Sequence, residues 1–347
     1  MQPRSAKSRN TTLDDVARAA DVSAITVSRA IRKPHMVSDK VRERVLAVVE
    51  RLGYVPDAAA SALASKRTDL IGLLVPSLTN NVFAEVLRGI YDASEDTPFN
   101  VQIVNFRYSP LKEEQLIRTL LRQKPAGLMV TGFDQTAEAR AMLEGADCRV
   151  VQIMDSGDDP VDLSIGFSHY ASAVDATRHL LACGYRRPAF LGARMDPRSQ
   201  RRLAGFTDAL KETGMFDPTR IVTTPQSSSI GLGTQLFADL IARRPDTDAI
   251  FCNNDDLAAG VLLEAQRRYF DVPGKLGVCG FNDLEFSRHL NPGLTTIATP
   301  RYDVGRRGFE MLRTAIDTPD EAQGGKVDLP AQLVERGSTR RLDSPSA

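Results

Sequence analysis

Apolar positions near the start of the chain recur at helical spacing in three short runs. Thr12 followed by Asp15 fits a capping box, and Leu13, Val16, Ala17 and Ala20 then fall on one helical face. Asp21-Val22 interrupts that run. Ser23 is a good N-cap for a second run, in which Val27, Ala30 and Ile31 face one way while Ala24, Ile25, Ser28, Arg29 and Arg32 face the other. A third run from Ser38 places Val41, Val45, Val48 and Leu52 on one stripe, long enough to close a small core over the first two. The outward face of the second helix is small and basic, as entry into a DNA major groove requires, which a plain helical hairpin would leave unexplained. The spacing therefore predicts an all-α helix-turn-helix domain over residues 10–56, with Pro56 ending the third helix.

Residues 57–67 favour helix but are too few to be stable alone in water, so this segment is expected to fold only when paired or on DNA. Beyond Leu70 the pattern changes to short apolar runs separated by helical stretches: Ile71–Val75, Val101–Val104, Gly127–Val130, Val150–Ile153, Ala189–Leu191, Ala249–Cys252 and Leu276–Cys279. Strands alternating with helices imply parallel sheets. They divide residues 68–340 into two α/β lobes, one of about 70–160 and 294–325, the other of about 161–293 and 326–340.

Composition adds one asymmetry. The net charge is zero, yet residues 1–67 hold 13 Lys/Arg against 7 Asp/Glu, leaving 31 against 37 for the rest. A basic head on an acidic body points to a polyanion partner. The cysteines Cys148, Cys183, Cys252 and Cys279 are widely spaced, the four histidines are scattered, and no metal-ligand spacing occurs, so neither a metal nor a cofactor is implied. There is no G-x-G-x-x-G, Walker A or G-x-S-x-G motif, which argues against an enzyme. No apolar stretch reads as a membrane span or signal peptide, so the expected location is the cytoplasm.

The strings Thr12-Leu13-Asp14-Asp15-Val16-Ala17, Val22-Ser23-Ala24-Ile25-Thr26-Val27-Ser28-Arg29 and Gly53-Tyr54-Val55-Pro56 resemble the LacI family of transcription repressors. That resemblance implies a two-lobed core like that of periplasmic sugar-binding proteins, with a ligand cleft at the C-terminal ends of strands. It puts Ala24, Ile25 and Arg29 at base-reading positions and Thr26, Ser28 and their neighbours Thr12, Ser23 and Arg32 against phosphates. Residues 57–67 become a hinge helix whose Leu63 wedges into the minor groove beside its dimer mate. Asp21 stands where the family usually has Gly, so a positive φ is expected there. The effector positions carry over to Asn81, Val82 and Phe83 on one wall, with Asp155, Arg194, Arg202 and the pair Asn254-Asp255; Phe83 as plain core and Asp255 as an N-cap are the competing readings.

Two departures bear on the ligand. Asn282 in Gly280-Phe281-Asn282-Asp283 stands where sugar-binding relatives usually place Asp, and Ser168-His169 where they have Asp-Asn, while arginines 194, 198, 201 and 202 remain nearby. A cleft that loses carboxylates and keeps arginines suits an anion. Strings such as Pro76-Ser77-Leu78-Thr79-Asn80, Met154-Asp155-Ser156 and Gln226-Ser227-Ser228-Ser229 resemble the gluconate-utilisation repressors of the family. The expectation is a homodimeric repressor of sugar-acid catabolism that binds a palindromic double-stranded operator and is released by gluconate or ketogluconate. A neutral sugar effector, a corepressor response and a sugar-binding module without gene regulation are the competing readings. Residues 338–347 lack the heptad leucines of a tetramerising helix, which favours a dimer.

Overall fold

A computed structural model describes residues 11–32, 36–54, 68–318 and 325–339. The chain divides into two compact units, Met1–Thr68 and Asp69–Ala347.

In the first unit, α1 (Leu13–Ala19), α2 (Ala24–Arg32) and α3 (Asp39–Leu52) enclose a core of Val16, Ala17, Ala20, Val27, Ala30, Val45 and Val48. The capping box forms: Thr12 Oγ1 accepts from the Asp15 N–H at 3.3 Å, and the Asp15 carboxylate accepts from the Thr12 N–H at 3.0 Å. Ser23 Oγ accepts from the Thr26 N–H at 3.2 Å, so it caps α2. Asp21 has φ 51°, the left-handed conformation expected of the turn, which Asp tolerates better than most non-glycine residues. Gly53 at φ 58° ends α3 by turning the chain into a conformation that costs glycine least. Two details differ from the sequence reading: α3 ends at Leu52 with Gly53 as its C-cap, ahead of Pro56, and Ala24 is half-buried against the helical core instead of facing wholly outward. Pro56, Leu63 and the rest of the hinge lie outside the described residues.

The second unit holds two six-stranded sheets. The first has the order β11-β5-β4-β3-β1-β2, built from β1 (Leu70–Val75), β2 (Asn100–Asn105), β3 (Gly127–Thr131), β4 (Arg149–Ile153), β5 (Leu163–Gly166) and β11 (Lys326–Asp328), all parallel. The second runs β12-β10-β9-β8-β6-β7, from β6 (Pro188–Ala193), β7 (Ile221–Thr224), β8 (Ala249–Cys252), β9 (Gly277–Asn282), β10 (Thr295–Ala298) and β12 (Gln332–Val334), where only β12 is antiparallel. Central strands such as Leu-Ile-Gly-Leu-Leu-Val of β1 are buried almost throughout, because helices cover both faces of a parallel sheet. Against the first sheet lie α4 (Val82–Ser94), α5 (Pro110–Arg122), α6 (Ala137–Glu144) and α11 (Arg301–Asp317). Against the second lie α7 (His169–Ala182), α8 (Pro197–Glu212), α9 (Ile230–Arg243) and α10 (Asp255–Arg267).

The lobe boundaries need correction. Leu163–Gly166 and Lys326–Asp328, expected in the second lobe, pair in the first sheet, and Thr295–Ala298, expected in the first lobe, pairs in the second. The chain thus passes between lobes at residues 167–168, 299–300 and 329–331. Short strands carry too little pattern to choose a sheet; their partner is set by where the preceding crossover delivers them.

Candidate ligand cleft and nucleic-acid interface

In the first unit, Ile25 is 65% exposed and Arg29 is exposed one helical turn later, so they share the open face of α2. Arg32 closes the same helix. Thr12, Ser23 and Thr26 spend side-chain oxygens on the local caps, and Ser23 Oγ and Thr26 Oγ1 lie 2.8 Å apart. A face that presents one branched apolar side chain and one guanidinium between small polar groups can meet base edges and phosphates together.

In the second unit, a cavity opens between the lobes where strands of both sheets end. It encloses about 510 Å³ of empty space, open solvent at its mouth included. Residues beyond those strand ends have positive φ: Arg107 and Tyr108 at 53° and 56° after β2, Met154 at 71° after β4, and Arg194 and Met195 at 63° and 36° after β6. Asn282 adds 114° at the end of β9. Such clustering of strained backbone is typical of binding sites, where surrounding packing over-determines the chain.

Among the expected effector residues, Val82, Phe83, His169, Arg194, Arg202, Asn254 and Asn282 line this cavity. Phe83 is at once wall and core. Arg202, buried on α8, donates to the Asn253 carbonyl and, from Nε and Nη2, to His169 Nδ1 at 3.3 and 3.2 Å; its plane lies 3.8 Å over the Phe281 ring. Burial, opposed by the charge of Asp196, brings its pKa down to about 10. Arg194 sits 4.1 Å over the Tyr108 ring and donates to Ser227 Oγ. Asn282 Oδ1 is buried with no partner among the described residues, an acceptor left for whatever enters.

Asn81, Asp155 and Asp255 are not part of the lining, which corrects the sequence reading. Asn81 is exposed; its neighbour Asn80 turns inward instead, accepting from the Val82 N–H at 3.0 Å and donating to the Tyr108 hydroxyl at 3.2 Å. Asp155 is buried and pairs with Arg201, which also binds Asp134 at 2.8 Å. Asp255 is fully buried beneath the cleft, accepting from the Leu284 N–H at 2.7 Å and Thr296 Oγ1 at 2.6 Å. The N-cap of α10 is Asn254, whose Oδ1 accepts from the Leu257 N–H at 3.0 Å. Gly280 is required beside it, since a Cβ there would stand 2.3 Å from Asp255 Oδ1.

Sequence reasoning missed Asn80, Tyr108, Met154, Ala193, Asp196, Ser199 and Ser228 among the lining residues, and named Arg198 only as a nearby charge. Asp196 before Pro197 carried a legible N-cap signal: its carboxylate accepts from the N–H groups of Arg198 and Ser199. Although burial opposes its charge, Arg198, Arg202 and those N–H groups hold the Asp196 carboxyl below the usual range. Tyr108 had no such signal.

Glu113 on α5 lies behind the cleft, 4% exposed, with Gln135 Nε2 donating to it at 3.4 Å. Burial, only partly offset by that bond and by Arg198, raises its pKa to about 7. The folded chain therefore holds this proton more tightly than the unfolded one, so stability is greatest below about pH 4.5 for this group and falls as pH rises toward 7. Glu113→Gln is expected to gain about 1–3 kcal/mol at pH 8 and nothing at pH 4. Urea unfolding across that range checks it; identical pH slopes for the two proteins would count against the assignment.

The model for periplasmic binding proteins and sugar binding domain of the LacI family matches residues 68–337, and that for bacterial regulatory proteins of the lacI family matches residues 12–57. The HTH-type transcriptional regulator GntR of Pseudomonas aeruginosa is 42% identical over 94% of this chain and 95% of its own length. GntR of Escherichia coli K12 is 34% identical over 89% and 93%. A LacI family transcriptional regulator from Silicibacter pomeroyi superimposes with a TM-score of 0.87 at 36% identity, covering 96% of this chain and all of that one. The lac repressor dimer bound to operator and the anti-inducer ONPF gives 0.83 at 27% identity, over 95% and 99%. These are transcription regulators, not enzymes, and no helix among the described residues is long and apolar enough to cross a membrane.

Proposed function

The chain belongs to the LacI family and is a DNA-binding transcription regulator, and from that premise we propose that it is a cytoplasmic, homodimeric repressor of sugar-acid catabolism genes. Its operator is palindromic, and gluconate or ketogluconate releases it. The observation that carries the effector class is the charge of the cleft: three guanidiniums, Arg194, Arg198 and Arg202, line it with a single carboxylate, and that carboxylate, Asp196, is committed to Arg198 and to capping α8. A ligand carboxylate meets unspent N–H donors there, and a polyol chain meets Asn254, Asn282 and Ser228.

Ile25 and Arg29 are assigned to base edges, with Thr12, Ser23, Ala24, Thr26, Ser28 and Arg32 around them, and Leu63 to the minor groove. Release requires that the effector bind the two lobe arrangements with different affinity. Moving the population from almost all operator-competent to almost none takes about 5.5 kcal/mol.

Calorimetric titration with gluconate, 2-ketogluconate, glucose, ribose and hypoxanthine tests the effector class. Heat with the two acids alone, together with loss of the operator band in a gel shift, is the expected result. Heat with a neutral ligand instead keeps the regulator and discards the sugar acid.

A further inference from the structure

Three cationic side chains near the cleft are partnered in different ways. Arg198 pairs with Asp196, and Arg201 with Asp134 and Asp155. Arg202 has only neutral hydrogen-bond partners, the Asn253 carbonyl and the single lone pair of His169 Nδ1, which Nε and Nη2 share; it stacks on the face of Phe281, and Asp196 acts on it only through space. Of the five N–H donors of a guanidinium, three are thereby used and two remain.

His169 is what makes this arrangement neutral. Its Nε2 lies 3.0 Å from the Met154 carbonyl oxygen, which can only accept, so Nε2 carries the proton. Its Nδ1 faces Arg202, which can only donate, so Nδ1 is a bare acceptor. The ring is buried with its centroid 4.5 Å from that of Phe167 and 5.9 Å from that of Phe281. Burial and the charges of Arg202, Arg198 and Arg201 that face it push its pKa well below the usual histidine range. An acid in its place would hold Arg202 equally well and would cancel its charge.

We infer that His169 is a positioning residue that sets the charge selectivity of the cleft: it orients the Arg202 fork without neutralising it, so that the guanidinium's charge goes to an anionic ligand. This rests on the sugar-acid reading of the cleft. It predicts that selectivity for an acid over the matching neutral polyol depends on a neutral acceptor at this position.

The full-length dimer, wild type and with His169→Asn or His169→Asp, is titrated calorimetrically with gluconate and with sorbitol, the same open chain without the carboxylate. His169→Asn keeps a neutral acceptor and is expected to retain gluconate preference within about tenfold. His169→Asp places a carboxylate on Arg202 and is expected to lower the gluconate-over-sorbitol preference about 100-fold, equal to about 2.7 kcal/mol. Operator binding in a gel shift confirms that each variant is folded. Undiminished preference in His169→Asp overturns the inference while leaving the effector reading intact. If the wild type gives no heat with gluconate, the effector reading fails by itself, and nitrogen NMR of the four histidines decides the rest. A neutral ring protonated at Nε2 through pH 6–8 supports the role of His169, also where an aspartate variant does not fold, and an imidazolium or an Nδ1–H ring at pH 7 overturns it.

Discussion

Arg202→Ala will bind gluconate roughly 300- to 1,000-fold more weakly than the wild type, or about 3–4 kcal/mol, while its operator affinity in the absence of ligand stays within about twofold. The loss has two sources. The fork that would pair with a carboxylate disappears, and the groups it holds, the Asn253 carbonyl and His169 Nδ1, are left in a buried wall without their donor. Arg202→Lys recovers little, because a single ammonium cannot reach the carbonyl, the imidazole and a ligand in one plane, nor lie flat over Phe281. Calorimetry gives the first quantity and a gel shift the second. A variant that loses operator binding as well as ligand would place Arg202 in the general framework of the core instead of in the cleft.

The second large effect concerns stability. Asp255→Ala is expected to destabilise the folded chain by about 3–4 kcal/mol, read from urea unfolding. Its carboxyl sits at the buried start of α10 and receives both the Leu284 N–H and the Thr296 hydroxyl, tying the loop after β9 and the strand β10 to that helix. Both donors lie where water does not reach, so each is orphaned by the alanine at about 1–3 kcal/mol. Asp255→Asn offers one oxygen and turns an N–H₂ toward the other donor, and should lose about half as much. Unchanged stability with lost ligand affinity would return Asp255 to the ligand-contacting role that the family resemblance implied.

The Asp255 case shows why part of the site was hidden. Asn254-Asp255 read as a ligand-contacting pair, with an N-cap role for Asp255 as the alternative, but it is Asn254 that caps α10 and lines the cavity. One residue along a helix turns the side chain by about 100°, so Asp255 points into the core. The same shift of one separates Asn80, which lines the cleft, from Asn81, which is exposed. Asp155 was displaced for another reason: Arg201, on the far lobe, claims it together with Asp134, a pairing between positions 46 and 67 residues apart in the chain.

The elements themselves were legible wherever a periodic pattern met a local signal. The capping box at Thr12, the Ser23 cap and the buried runs of β1, β3, β4 and β8 all rest on neighbours within a few residues, and local interactions are written in local order. From the loss of two acids and the survival of arginines, the sequence by itself also determined the sign of charge in the cleft. Only the tertiary structure decided which sheet received Leu163–Gly166, Thr295–Ala298 and Lys326–Asp328, and which arginines near the cleft pair directly with carboxylates. Both depend on which distant groups the three crossings between lobes bring within hydrogen-bond reach, and that distance is a property of the packed chain, to which neither hydropathy nor spacing along it corresponds.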